Sequence, residues 1–170
     1  TTCSCKPEEN YMHPMFDRLV ALLDARSASY RVLMHDAEGQ SARVAEIRGT
    51  EPGQGAKAML CSLKGQAGPY ALVILPGDQK LDMKKVGAAL GGKKAELVKA
   101  ETATQLTGCR IGAIPPFVFD ERIQLIVDPA LTTGYAEIAF NAGRLDASMV
   151  LDTQDYLAIA MPRLLDISQA

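Results

Sequence analysis

YALVILPGDQKLDMKKVGAALGG, residues 70–92, carries a strand, a turn and a helix in one run. Tyr70 to Pro76 is apolar without a break, the pattern of a strand covered on both faces and central in its sheet. Pro76, Gly77 and Asp78 turn the chain. Met83, Val86, Ala89 and Leu90 then recur at helical spacing, and Gly91 or Gly92 supplies the stop.

Working outward, AKAMLCSL (56–63) is a second buried strand, and KGQAGP (64–69) between the two reads as a hairpin loop. Upstream, Pro14 opens a helix to about residue 26 with Phe16, Leu19, Val20 and Leu23 on one side. SYRVLMHD (29–36) alternates as a half-buried strand ending at His35. Ser41 is placed to cap a short helix carrying Val44, Ala45 and Ile47, which Gly49 would end. Downstream, KAELVKA is a short strand, and TATQLTG is a short helix with Thr102 and Gln105 at capping-box spacing. CRIGAIPPFVF holds a tight loop. RIQLIVD, YAEIAF and ASMVL are strands, with NAGR (141–144) turning between the last two, and TQDYLAIAMPRLLDI is a helix broken or ended near Pro162. Strands joined by hairpins and interleaved with short helices predict an α+β fold with a mixed sheet.

The chain of 170 residues is 48% hydrophobic, which suits one domain over 14–170 behind a disordered leader at 1–13. Its 18 basic and 20 acidic residues leave a net charge of −2, so no global basic field marks it for nucleic acid. Lys80, Lys84, Lys85, Lys93, Lys94 and Lys99 do gather locally, with only Asp78, Asp82 and Glu96 as acids nearby; such a run is either a solvated face or a phosphate-binding patch. No apolar run reaches the roughly 18 residues that span a bilayer, and a cytoplasmic location without membrane contact is expected. Cys3, Cys5, Cys61 and Cys109 form no disulfide framework, and Cys3, Cys5 and His13 make a weak metal set, so no metal or cofactor is expected.

EPGQGAKAML (51–60) invites comparison with a phosphate loop, but Gly53, Gly55 and Lys57 are spaced by single residues. Ala58 stands where a hydroxyl would follow the lysine, and the segment enters a strand rather than a helix. Lys57 then begins an apolar strand with no carboxylate beside it in sequence. Either it snorkels outward or it faces a pocket that supplies an anion. GAIPP (112–116) is a stiff loop whose amides could be aimed at a ligand or could be an ordinary connection. No Ser-His-Asp or Cys-His set is evident, so an enzyme built from this chain would act by positioning more than through a side-chain nucleophile.

In order, the histidine, GAKAMLC, YALVILPGDQKLDMKKVGAALGGKK, TGCRIGAIPPF, IVD and FNAGRLDASMVL resemble the YbaK/ProX family of aminoacyl-tRNA deacylases. That family is related to the editing domain of bacterial prolyl-tRNA synthetases, and the likeness runs from about residue 16 to 165. It implies a mostly antiparallel sheet curled as a half-barrel around a small pocket. It also implies hydrolysis of the ester joining a wrong, small amino acid to the 3′ end of a mischarged tRNA, in a free-standing trans-editing enzyme. Lys57 falls on the family's functional lysine, which engages the terminal phosphate or the ester. Gly112 to Pro116 fall on its G-x-x-x-P loop, with the Gly112 and Ala113 amides as oxyanion donors and Ile114, Pro115 and Pro116 as pocket wall; relatives often have a smaller residue at Pro115. His35, Ser41, Asn141 and Asp146 fall near the substrate. The patch Lys80, Lys84, Lys85, Lys93 and Lys94 would then meet tRNA. The alternative is a non-catalytic module of the same fold that binds tRNA ends or a small aminoacyl ligand.

Overall fold

The central strand, β3 (Tyr70–Pro76), lies in a five-stranded sheet of order β4-β2-β3-β5-β8 in a computed structural model that describes residues 14–170. The expected leader 1–13, with Cys3, Cys5 and His13, lies outside the described residues. β2 (Ala56–Leu63) runs antiparallel to β3 and to β4 (Ala95–Leu97). β5 (Ile123–Val127) and β8 (Arg163–Leu164) run parallel to the strands they join. A second, antiparallel sheet has the order β1-β7-β6, from Tyr30–Met34, Ala147–Asp152 and Glu137–Arg144. The sheets meet at a parallel bridge between Gly55 and Ala139.

The unbroken apolar run of β3 is explained by a core on each of its faces. Leu72 and Ile74 point into the larger core, shared with Leu19 and Leu23 of helix α1 (Pro14–Ala25) and with Ile138, Phe140, Met149 and Leu151 of the second sheet. Ala71, Val73 and Leu75 point the other way, toward Val86 and Leu90. Val86 belongs to α3 (Met83–Ala89), capped by Asp82, whose side chain accepts from the Lys84 and Lys85 amides. Among the described residues no helix is long and apolar enough to cross a membrane.

Several local expectations change. Helix α2 (Ser41–Arg48) is capped by Gln40, so Ser41 is its first residue rather than its cap, while Gly49 ends it at φ 69° as expected. Helix α4 (Ala100–Thr107) starts two residues before Thr102, so Thr102 and Gln105 form no capping box. NAGR does not turn: β6 continues through it to Arg144 with a register shift between Asn141 and Arg144, and the turn falls at Leu145–Asp146. Three elements are additional: a 3-10 helical turn at Pro52–Gln54, α5 (Pro129–Gly134), capped by Asp128, and the short β8 that follows α6 (Thr153–Ala160).

Candidate active site

The seam between the two sheets holds a cavity of about 60 Å³. Ser41, Val44 and Arg48 form one wall; their spacings of three and four put them on one face of α2. Gly55 to Ala58, where the chain enters β2, form the second wall. Gly39, Gly112 and Ile114 come from two loops, and Asn141 closes the cavity from β6.

Lys57 is half-buried, and its ammonium donates to the Gln79 carbonyl in the turn after β3. Burial pulls its pKa below the ordinary lysine value, and the nearby Asp78 carboxylate offsets part of that. Lys57 thus lines the cavity while its ammonium reaches outward to a backbone oxygen of the exposed turn, so it combines parts of both alternatives.

Arg48 is the residue that the sequence reading passed over. Its Nε donates to Ser148 Oγ at 2.8 Å and its Nη2 to Asn141 Oδ1 at 3.0 Å. Among the described residues no carboxylate pairs with it. Burial alone brings its pKa down to about 10. Among the described residues no carboxylate lines the cavity, whose walls include the cationic residues Arg48 and Lys57.

Asn141 and Ser148 are buried, 6% and 0% exposed, and spend their polar atoms within this network. Asn141 Nδ2 donates to the carbonyls of Glu38 at 3.0 Å and Gly112 at 2.8 Å, tying together the loops that contribute Gly39 and Gly112. His35 stands one step behind: its Nε2 lies 2.7 Å from Ser148 Oγ and its Nδ1 2.7 Å from the Asp36 carbonyl. A carbonyl only accepts, so Nδ1 carries the proton, while the single Ser148 hydroxyl proton lies between His35 Nε2 and Asn141 Oδ1, the latter 3.2 Å away.

Of the residues singled out in the sequence, Lys57, Gly112, Ser41, Ile114 and Asn141 share the cavity. The others do not line it. Ala113 faces a neighbouring cavity, and its amide already donates to the Arg110 carbonyl at 3.0 Å, so that N–H is spent. Asp146 lines the same neighbouring cavity, paired with Arg144 at 2.7 Å. Pro115 lies in a third cavity with Phe117 and Phe119. Pro116 is buried, and its carbonyl accepts from Tyr156 Oη at 2.7 Å. His35 reaches the site only through Ser148.

Among the described residues no thiol lines the cavity. The Cys61 and Cys109 thiols are buried, which pushes them up to about 12 and 11. Among the described residues no three His, Cys, Asp or Glu side chains are grouped to hold a metal ion. The Gly112 amide has no partner among the described residues and, with φ at 87°, sits in a conformation that glycine adopts without strain. Two cationic donors and a spare amide around a small space suit an oxygen-bearing group such as an ester or a phosphate.

Comparison with known proteins agrees with this chemistry. The family described as "Aminoacyl-tRNA editing domain" matches residues 35–159. The chain is 47% identical over 150 residues to the multifunctional Ser/Thr-tRNA deacylase ProXp-y of Escherichia coli, covering 88% of this chain and 90% of that protein. It is 27% identical over 125 residues to a Cys-tRNA(Pro)/Cys-tRNA(Cys) deacylase candidate, EbsC, of Enterococcus faecalis, covering 74% of each. The fold is shared with hypothetical protein APE2540 at a TM-score of 0.79 and 22% identity, covering 89% of this chain and 99% of that one. It is also shared with a candidate trans-editing enzyme for prolyl tRNA synthetase at 0.78 and 23%, covering 92% and 98%. The chain belongs to the aminoacyl-tRNA editing domain family.

Proposed function

We propose that this protein is a trans-editing deacylase that hydrolyses the ester of mischarged tRNA carrying a small amino acid, with serine and threonine as the first candidates. The observation that carries the reading is the small cavity lined by Lys57, Arg48 and Gly112, in a chain nearly half identical to a Ser/Thr-tRNA deacylase.

In this reading Lys57, on the side of the exposed turn at Asp78–Lys80, takes the terminal phosphate or the ester end of the substrate. A water molecule attacks the ester carbonyl carbon, and the Gly112 N–H stabilises the negative charge that develops on the carbonyl oxygen. The bond to the ribose oxygen then breaks, and that oxygen takes up a proton as amino acid and tRNA separate. An aminoacyl ester is already activated and the adjacent ribose hydroxyl can assist, so positioning supplies most of what the reaction needs. Asn141 holds the Gly112 loop in place. Ala113, Pro115 and Asp146 have no direct part. Lys80, Lys84, Lys93 and Lys94, all exposed, are the candidate contacts for the tRNA backbone, Lys80 beside the Gln79 turn and Lys94 at the far end of β2 beside Lys64.

The test is release of amino acid from a panel of mischarged tRNAs, with Lys57→Ala beside the wild type. Hydrolysis above the spontaneous rate, lost by at least about 100-fold in a folded Lys57→Ala variant, is the expected result. Binding of the same tRNAs without release would make the protein a binding module, and full activity in the variant would remove Lys57 from the mechanism.

A further inference from the structure

Arg48 is half-buried and, among the described residues, has no carboxylate paired with it, an arrangement that folding alone does not favour. Two of its nitrogens are engaged, Nε by Ser148 and Nη2 by Asn141. The third, Nη1, has no partner among the described residues and approaches within 3.7 Å of the point that a Cβ on Gly55 would occupy. Gly55 and Arg48 both line the cavity, so a guanidinium edge is held open there by the protein's own hydrogen bonds. A donor fixed in this way calls for an oxygen from outside the chain.

Which oxygen follows from the layout. Lys57 leads out to the exposed turn, whereas Arg48 is held inward by its hydrogen bonds to the buried Ser148 and Asn141. A substrate whose ester end lies at Lys57 and Gly112 therefore turns its side chain toward Arg48. A cavity of about 150 Å³ accepts benzene, so one of about 60 Å³ takes a side chain of only two or three heavy atoms.

Resting on the deacylase reading above, we infer that Arg48 is the specificity residue of the site, its Nη1 donating to the side-chain hydroxyl of a seryl or threonyl ester. Val44 and Ile114, which line the same space, offer apolar contact to the methyl of threonine. An alanyl or 2-aminobutyryl ester leaves Nη1 desolvated and unpaired, and this is the situation in which a site built for a hydroxyl rejects the analogue without it.

The experiment compares tRNA charged with serine and with 2-aminobutyrate, which replaces the hydroxyl by a methyl of similar size, on wild type, Arg48→Met and Arg48→Lys. Wild type should favour serine by at least about 100-fold in kcat/KM. Because Arg48 also supports Asn141, both rates should fall in Arg48→Met, but the serine preference should collapse toward unity, with Arg48→Lys between. A purely structural role would lower both rates and leave the preference intact, which would overturn the inference. The wild-type comparison decides even if Arg48→Met does not fold: equal rates on the two esters overturn the assignment. Absence of hydrolysis with every ester would instead sink the deacylase reading, and this one with it.

Discussion

Asn141 spends its hydrogen-bonding capacity within the protein, accepting from Arg48 and donating to the Glu38 and Gly112 carbonyls. Asn141→Asp keeps the shape and the contact with Arg48 but sets a carboxylate oxygen against two carbonyls about 3 Å away. Each lost donor in a buried site costs about 1–3 kcal/mol, so the variant should melt well below the wild type. Its kcat should fall at least about tenfold as the Gly112 loop loosens, since small misplacements are expensive in a positioned reaction. An unchanged kcat in a folded variant would separate the network from catalysis. The sequence made part of this site legible. Lys57 was conspicuous as a charge opening an apolar strand, and the glycine and prolines at 112–116 marked a rigid loop. Arg48 was hidden because a basic residue in the last turn of a helix is the ordinary complement of the helix dipole. Its one readable signal is the register with Ser41 and Val44, which puts it on the inward face. Ser148, a small polar residue inside the apolar strand ASMVL, was a second signal left unused.

Helix α3 carries its own demonstration of why the GGKK segment follows where it does. Gly87 is buried mid-helix, and a Cβ there would stand 2.5 Å from the Lys94 amide nitrogen and 2.6 Å from its Cα. These are backbone atoms of a segment anchored by β4, so they cannot swing aside. Gly87→Ala gains about 1 kcal/mol of helix propensity but incurs an overpacking cost of about 1–3 kcal/mol or more. The expected net result is destabilisation, seen as a lower denaturant midpoint with an unchanged m-value; a stabilised variant would show that the helix and the segment separate easily. Legibility at this scale follows the length of the periodic signal. β3 and α3 were plain because seven-residue stretches repeat cleanly. α5 and β8 were missed because six and two residues carry too little period, although Asp128 followed by Pro129 is a helix-start signal. NAGR was misread because Gly143, at φ 78°, has the conformation of a turn glycine while serving a register shift within a continuous strand.

For the whole molecule, the mixed α+β architecture followed from the order of strands and short helices, whereas the seam at Gly55 and Ala139 that creates the cavity depends on a contact between distant segments, which no local pattern encodes. The protein's net charge is −2, so any attraction to tRNA must come from a surface that is locally basic. Lys80 follows directly on Gln79, the residue whose carbonyl holds Lys57, and Lys84, Lys93 and Lys94 are exposed as well. Lys85 is less available, since its ammonium is engaged by Asp166 at 2.9 Å and by the Ser168 carbonyl at 2.7 Å. Neutralising Lys84, Lys93 and Lys94 together to glutamine should therefore raise KM for a full-length charged tRNA at low salt while leaving kcat nearly unchanged. If each lysine meets one phosphate, the dependence of log KM on log salt should become shallower by about 2 to 3. Hydrolysis of a short aminoacyl-adenosine ester, which reaches the cavity but not these lysines, should not respond. Loss of activity on both substrates would mean that the lysines support the fold or the pocket, and no change on either would mean that tRNA approaches from another side.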